Sequence, residues 1–269
     1  MPQGQLMKPI ETIPETVKNA IRYVLADIDD TLTLDGRLPA VVFAAMEDLK
    51  KAGIRMVPIT GRPAGWCDHI DRMWPVDGVV GENGAFYFCY DIQQRKMRRR
   101  YFKTEQQSAA DHKKLENIKR EILDKIPGCP VSADQHYREA DLAIDFCEDV
   151  PPLSMKDIDR IVDLFEKAGA RAKISSIHVN GWLGEYDKLT MTRLLFAEVF
   201  KDDLAAVKED VIFIGDSPND VPMFQFFPHS VGVANILQFK EKITQKPAWV
   251  TRQEGGYGFA EMVDLILTK

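Results

Sequence analysis

The sequence predicts an α/β protein with a Rossmann-like, doubly wound parallel sheet as its core and an inserted α+β unit. Short apolar runs such as 23–26 end abruptly in a polar or acidic residue, which is typical of buried parallel strands. Amphipathic helical patterns alternate with these runs at both ends of the chain. Between about 86 and 185 the predicted order changes to two strands, helix, strand, helix and strand, which indicates a separate unit.

The N-terminal elements set up the parallel sheet. A strand is predicted at 23–26 and a helix at 39–51, which Gly53 ends as a C-cap would. A second strand follows at 54–59, and Pro63 takes a first-turn position in a helix that reaches Met73.

The middle and C-terminal elements follow the same signals. A long helix carries Leu115, Ile118 and Ile122 on one face, and the glycine-rich stretch 180–184 has the composition of a linker or turn. The other predicted elements of the middle part are strands at 85–90, 97–102, 141–146 and 172–179 and a helix around 158–165. After 188 they are a helix at 188–200, strands at 211–214, 230–233 and 248–251, and a helix at 258–268.

Composition limits the classes of function. The 269 residues include 35 basic and 41 acidic side chains, and this acidic balance argues against a nucleic-acid binder. No apolar run approaches the length of a membrane span, and residues 1–20 lack the apolar region of a signal peptide. The four cysteines have no zinc-type spacing, which indicates reduced thiols. We therefore expect a cytoplasmic protein with no membrane or nucleic-acid partner.

Three of the predicted strands end in a residue that suits phosphate chemistry, namely Asp27, Thr60 and Asp216. Ligand sites in open parallel sheets lie at the carboxyl ends of the strands, so these side chains are expected to converge. Asp27 is a competent nucleophile for phosphoryl transfer, and Asp29 is placed to act as general acid and then general base.

Further charged residues predict a cation at the same place. Asp216 and Asp220 add two carboxylates, and crowding them beside Asp27 is costly unless a cation offsets their charge. Mg²⁺ fits, because it prefers oxygen ligands and binds through one or two carboxylates plus substrate phosphate. Thr60 can donate a hydrogen bond to a phosphoryl oxygen, and Lys188 can offset its charge.

The ordered set of motifs resembles the haloacid dehalogenase-like (HAD) phosphatases, over about residues 23–267. The segments that carry the resemblance are DIDDTL at 27–32, ITGR at 59–62, Lys188 and GDSPND at 215–220. ENGA at 82–85 and GYGF at 256–259 resemble segments of the Cof-type branch, subfamily IIB.

The resemblance implies a role for each matching residue. Asp27 would attack phosphorus, Asp29 would protonate the leaving oxygen and later activate water, and Thr60 would bind the transferring phosphoryl group. Mg²⁺ would be held by Asp27, the backbone carbonyl of Asp29 and Asp216. Asp220 would orient the waters of the metal or pair with Lys188, and Asn219 would support the metal acid beside it.

The resemblance also implies how the chain is divided. The long stretch between Thr60 and Lys188 holds the C2-type cap of the family, at 86–185, which would close over the site and supply substrate contacts. The discontinuous core would comprise 1–85 and 186–269, with 1–20 as an N-terminal extension.

Candidate substrate contacts are less specific than the catalytic set. They are Arg62, Asn83, His178 and Trp182, followed by Asn180 and the basic run 98–100. Trp182 offers a ring that stacks on a sugar, but a tryptophan near a domain crossing also fits packing, and solvation is the alternative for the basic run.

The sequence therefore predicts a Mg²⁺-dependent phosphatase for a small phosphorylated metabolite, with a sugar phosphate as the favoured class, acting as a monomer or homodimer. A phosphomutase similar to phosphomannomutases stays open, although their fourth motif is longer than GDSPND. A phospho-accepting signalling domain also uses Asp, Thr, Lys and Mg²⁺, but such domains lack an insertion like the one between Thr60 and Lys188.

Overall fold

The computed structural model describes residues 6–175, 177–241 and 243–268, so that positions 1–5 of the expected N-terminal extension lie outside the described residues. The strands of the described residues are β1 (Lys8–Pro9), β2 (Tyr23–Ala26), β3 (Arg55–Pro58), β4 (Val79–Gly81), β5 (Phe86–Asp91), β6 (Lys96–Tyr101), β7 (Leu142–Asp145), β8 (Arg171–Ile174), β9 (His178–Trp182), β10 (Val211–Gly215), β11 (His229–Gly232) and β12 (Trp249–Val250).

The helices lie between these strands, and the longer ones follow the sequence periodicity. They are α1 (Glu15–Ala20), α2 (Ala40–Lys51), α3 (Ala64–Met73), α4 (Glu105–Lys125), α5 (Met155–Lys167), α6 (Lys188–Leu195), α7 (Val221–Phe226) and α8 (Gly255–Leu267). A π-helical turn at Phe196–Phe200 continues α6.

The largest sheet has the order β1-β12-β11-β10-β2-β3, and every neighbouring pair is parallel. Successive residues of β2 face opposite sides of it. Val24 packs in the apolar cluster that holds buried residues of α2 and α8, whereas Leu25 packs in the cluster that holds those of α6 and α7. Helices therefore cover both faces, and the prediction of a doubly wound parallel sheet is confirmed.

A second sheet, β4-β5-β6, is antiparallel and lies beside the first. A parallel bridge between Ile59 and Val80 joins the two. Phe86 and Phe88 of β5 are buried in the same apolar cluster as Val24 of β2. This packing favours counting the β5–β6 hairpin with the core, and we propose that the cap begins near α4 rather than at 86.

The third sheet, β7-β9-β8, is antiparallel and carries α4 and α5 on one face. Ile122 of α4 and Phe165 of α5 pack there against Val179 of β9. Residues paired across neighbouring strands share a face, and Lys173 of β8 is in register with Asn180 of β9. The face away from these helices is therefore polar.

Two predictions for the middle of the chain are wrong. The single strand expected at 172–179 is two strands, and the expected linker at 180–184 instead continues β9 as far as Trp182. The glycine at 181 suggested a turn, but it allows a close approach: a Cβ there would lie 2.1 Å from the Phe165 ring. The predicted half-buried strand at 141–146 is β7, whose residues are all buried.

Short elements escaped the sequence analysis, because β1, β4, α1 and α7 have between two and six residues. Within the described ranges, no helix combines the length and the apolar character that crossing a membrane requires. The four cysteines are free thiols.

Candidate functional site

A cavity of about 780 Å³ lies between the carboxyl ends of the parallel strands and the polar face of the third sheet. Most of the predicted site residues line it, namely Asp27, Asp29, Arg62, Asn83, His178, Lys188, Asp216 and Asn219. Thr60 and Asp220 are fully buried next to these side chains. The structure thus brings together residues that are up to about two hundred positions apart in the sequence.

Asp27 and Lys188 face each other at the base of the cavity. The backbone N–H of Asp27 donates to the carbonyl of Ile214 at 3.0 Å, so the pairing of β2 with β10 extends to this residue. Lys188 is the first residue of α6, and Asp187 caps that helix by accepting the N–H of Thr190. Its Nζ lies 2.5 Å from Oδ1 of Asp27.

Asp216 and Asp220 come from the loop after β10. Gly215 is required there, because a Cβ at this position would lie 2.4 Å from Oδ2 of Asp220. The N–H of Asp216 donates to that oxygen at 3.2 Å, and the Thr31 hydroxyl donates to Oδ1 of Asp216 at 3.1 Å. Lys188 reaches Oδ1 of Asp220 at 3.0 Å, so one ammonium group links both parts of the site.

These three carboxylates form a buried acidic cluster, in which one oxygen each of Asp27, Asp216 and Asp220 lies within 4.8 Å of the others. Burial raises the pKa of Asp27 to about 7 against the opposing charge of Lys188. Burial and then the neighbouring Asp220 raise the pKa of Asp216 well above its usual value. Burial alone would lower the pKa of Lys188, but Asp220 and Asp27 raise it instead. More negative charge is crowded here than one lysine offsets.

Arg62 holds Asp29 in place. Its Nη2 and Nε lie 2.8 Å and 2.9 Å from Oδ1 of Asp29, which fixes the carboxylate through two donors. The same guanidinium reaches Oε1 of Glu148 at 3.4 Å and lies 4.4 Å above the Trp66 ring. Arg62 therefore fixes the predicted acid–base residue and also contacts the chain segment after β7.

Thr60 and Asn83 form the side wall next to Asp29. The Thr60 hydroxyl accepts the N–H of Arg62 at 2.9 Å and keeps its own proton for another acceptor. The N–H of Asn83 donates to the Thr60 carbonyl at 3.0 Å, and its backbone is left-handed, with φ of 56°. This turn places the Asn83 side chain at the cavity.

Of the predicted cap contacts, His178 lines the cavity and Trp182 does not. Nε2 of His178 lies 2.9 Å from Oε2 of Glu148, and this contact lowers the pKa of Glu148. The Trp182 ring is buried in the main apolar cluster, 6.0 Å from the Tyr186 ring. Of the two alternatives for Trp182, packing is therefore the one that the structure has, and the sugar-stacking contact does not form because the ring is buried away from the cavity.

Two other candidates have structural contacts of their own. The Asn219 amide donates to the Ile174 carbonyl at 2.7 Å, which ties the loop after β10 to β8. In the basic run, Arg99 and Arg100 form ion pairs with Asp68 and Glu198, and these side chains are outside the cavity lining.

Sequence reasoning missed a buried carboxylate that links two distant segments. Glu82 accepts the backbone N–H groups of Ala64, Glu139, Ala140 and Asp141 at 2.6–3.0 Å. Its place in ENGA marked the residue, but no local signal pointed to partners near 140. This side chain anchors the start of α3 and the segment before β7 at one point.

Arg138, in the same segment, was also missed. It donates to Asp134 and Asp141 and reaches the carbonyl of Gly61 at 3.0 Å, directly beside Thr60. Asn180 donates to Asp141 at 3.1 Å. This buried network connects the polar face of the third sheet to the loop that carries Arg62.

Lys173 is the third residue that the sequence did not reveal. It lines the cavity from β8, and its Nζ lies 3.3 Å from the Asn219 carbonyl. Burial and then the charge of Lys188 lower the pKa of Lys173. A lysine in a short strand carries no signal of this placement, because the loop after β10 contributes the burial.

Comparisons with known proteins agree with this geometry. The family model for haloacid dehalogenase-like hydrolases matches residues 196–262. The curated phosphoglycolate phosphatase 1 of Saccharolobus solfataricus is 26% identical over 253 residues, which are 92% of this chain and 96% of that protein.

Two solved structures share the fold. A protein described as a HAD/Cof-like hydrolase, from Plasmodium vivax, has a TM-score of 0.66 at 17% identity and covers 93% of this chain and 98% of its own. The sucrose-phosphatase of Synechocystis sp. PCC6803, solved with sucrose and phosphate, has a TM-score of 0.63 at 14% identity, and the match covers 91% of this chain and 98% of that protein.

The fold and the acidic site define a hydrolase with a doubly wound core and a covering α+β unit. The chain is similar to the haloacid dehalogenase-like hydrolases, and to their Cof-type branch in particular. The prediction of a phosphatase-type hydrolase is confirmed at this level.

Proposed function

We propose that the chain is a Mg²⁺-dependent phosphatase that hydrolyses a small phosphorylated metabolite, such as a sugar phosphate, through an aspartyl-phosphate on Asp27. The observation that carries the proposal is the pairing of Asp27 with Lys188 in a buried acidic cluster, with Asp29 held nearby by Arg62. The names of the phosphoglycolate phosphatase and sucrose-phosphatase relatives support small phosphate esters as the substrate class.

The acidic cluster fits the proposed metal. Asp27, Asp216 and Asp220 offer carboxylate oxygens within 4.8 Å of one another, and hard oxygen donors are what Mg²⁺ prefers. The raised pKa values of Asp27 and Asp216 reflect buried negative charge that a dication would relieve. When bound, Mg²⁺ would supply positive charge next to the transferring phosphoryl group; Asp27, Asp216 and the carbonyl of Asp29 are the groups proposed to hold it.

The residues of the chain account for the remaining steps. Asp27 attacks phosphorus, and Asp29, fixed by Arg62, protonates the leaving oxygen and then takes a proton from the attacking water. Lys188 and the Thr60 hydroxyl stabilise the charge on the phosphoryl oxygens. The third sheet covers the cavity and limits the access of bulk water.

The test is hydrolysis of an aryl phosphate by the purified protein with Mg²⁺. Asp27→Asn keeps the shape but removes the nucleophile, so we expect kcat to fall at least about a thousandfold. Asp124→Asn, at an exposed position of α4, is the matched control. Undiminished hydrolysis in Asp27→Asn would refute the proposal, and an isomer formed without free phosphate would favour a phosphomutase.

A further inference from the structure

The cations that line the cavity differ in how their charge is neutralised. Arg62 pairs with Asp29, Arg138 with Asp134 and Asp141, and Lys188 with Asp27 and Asp220. Lys173 is the exception among the described residues, since no carboxylate lies within 4.0 Å of its ammonium group. Its ammonium group instead donates to a neutral carbonyl, that of Asn219 at 3.3 Å.

Position and register aim Lys173 at the interior of the cavity. It lies on β8 directly opposite Asn180, which itself lines the cavity from β9. The Asn219 carbonyl that it touches belongs to the loop carrying Asp216 and Asp220. The ammonium group is therefore held at the cavity wall, against the loop that carries two carboxylates of the acidic cluster.

The surroundings of Lys173 make an unpaired charge costly. Its ammonium group is partly exposed on the polar face of the sheet, opposite to the face of Ala172 and Ile174, and the Asn219 carbonyl of the loop after β10 lies against it. A cation that is partly removed from water is normally matched by an anion. The phosphoryl group already has Lys188 as its partner, so the charge of Lys173 is available for a second anionic group.

We propose that Lys173 forms a second anion subsite and that the substrate is a phosphate ester that also carries a carboxylate. This inference rests on the proposed function and narrows it: among small phosphorylated metabolites, the cavity selects phosphorylated carboxylic acids. A carboxylate accepts a charge-assisted hydrogen bond from the Lys173 ammonium group while Lys188 and Asp27 engage the phosphoryl group.

The test compares 2-phosphoglycolate with ethyl phosphate, in which a methyl group replaces the carboxylate. Each variant is compared with the wild type on the same substrate, which cancels the intrinsic reactivity of the two esters. The parameter is kcat/KM, or the inhibition constant against an aryl phosphate where turnover is absent. Glucose 6-phosphate is added as a phosphorylated sugar without a carboxylate.

Lys173→Met is expected to lower kcat/KM for 2-phosphoglycolate at least about tenfold more than kcat/KM for ethyl phosphate or glucose 6-phosphate, because a hydrogen bond to a charged group is lost. Lys173→Arg, which keeps the charge, should recover most of the difference. Lys156→Met removes an exposed lysine of α5 and should leave kcat/KM for all three esters unchanged. Far-ultraviolet circular dichroism and the thermal midpoint establish that the variants fold.

An equal loss of kcat/KM on all three esters would overturn the proposed subsite, because it would mean that Lys173 acts on the phosphoryl group or on the structure. A wild-type protein that prefers ethyl phosphate or glucose 6-phosphate to 2-phosphoglycolate would overturn it as well. Both results leave the proposed function standing if aryl phosphate hydrolysis still depends on Asp27. Only hydrolysis that survives Asp27→Asn refutes the function itself.

Discussion

Individual carboxylates in this protein differ in what compensates their burial. Asp27 faces Lys188, and Glu82 accepts several backbone N–H groups. Asp71 in α3 is compensated less: it is 6% exposed, a backbone hydrogen bond from Tyr90 lowers its pKa only in part, and its Oδ2 has no hydrogen-bond partner among the described residues. Burial, together with the charges of Asp68 and Asp77, raises the pKa of Asp71 to about 7.

This raised pKa makes stability depend on pH. Below about pH 4 the group is neutral in both states; as the pH rises towards 7 the unfolded chain ionises first, so the folded state loses stability. Asp71→Asn removes that loss. At each pH the free energy of unfolding of Asp71→Asn is compared with that of the wild type. We expect this difference to shift in favour of the variant by about 2–4 kcal/mol between pH 4 and pH 8.

Urea unfolding at both pH values measures this difference, with Asp124→Asn on the exposed face of α4 as the control. If Asp71→Asn and the wild type change in parallel with pH, then the carboxyl group is not the cause.

The residues that could be predicted from sequence are those whose role follows from a local pattern. Asp27 and Asp216 end apolar runs, so both could be placed at the sheet edge before any contact was known, whereas Lys188 was assigned to the site by the resemblance of the motif order. Lys173 and Arg138 could not be placed in this way. Their contacts come from distant segments, and only tertiary packing shows that they lie at the cavity.

At the level of elements, the regular strands and helices of the core followed from periodicity, whereas the region around β9 did not. The glycine at 181 has the composition signal of a turn, but its real role is to admit the Phe165 ring. The same misreading placed Trp182 outside a strand and made its ring appear free for a ligand. A single sequence does not distinguish a glycine that bends the chain from one that admits a neighbour.

Glu82 determines how the segment before β7 attaches to the core. In its carboxylate form Glu82 has only acceptors, which suits the backbone N–H groups of Ala64, Glu139, Ala140 and Asp141. Burial and then the charge of Asp141 raise the pKa of Glu82 to about 8, so this form is complete only above that pH. Glu82→Gln turns one acceptor into an NH₂ group that faces other donors. We expect a loss of about 2–4 kcal/mol in the free energy of unfolding, since N–H groups are left buried and unpaired.

Equilibrium unfolding in urea measures this loss, and Glu105→Gln, in the exposed first turn of α4, is the matched substitution. A Glu82→Gln protein as stable as the Glu105→Gln protein would show that the buried carboxylate does not hold the segment.

Across the whole molecule, the acidic cluster joins the two ends of the chain, because Asp27 follows β2 whereas Asp216 and Asp220 follow β10. The burial of these carboxylates, and then their mutual repulsion, opposes folding when no metal ion is bound, as the raised pKa values of Asp27 and Asp216 indicate. A metal ion that binds only to the folded cluster stabilises the folded state instead. At ten times its dissociation constant it adds about 1.4 kcal/mol to the stability, or about 3 °C in thermal midpoint for a chain of this size.

Asp216→Asn should therefore act in opposite directions with and without metal. In a chelator at neutral pH it removes one crowded carboxylate, so we expect a thermal midpoint at or above that of the wild type. On addition of Mg²⁺ the wild type and the Asp124→Asn control should gain about 3 °C, whereas Asp216→Asn should gain less than about 1 °C because a ligand is missing. Differential scanning calorimetry with and without Mg²⁺ measures both effects. Equal gains in all three proteins would place the metal elsewhere, since the cluster of Asp27, Asp216 and Asp220 would then have no part in binding it.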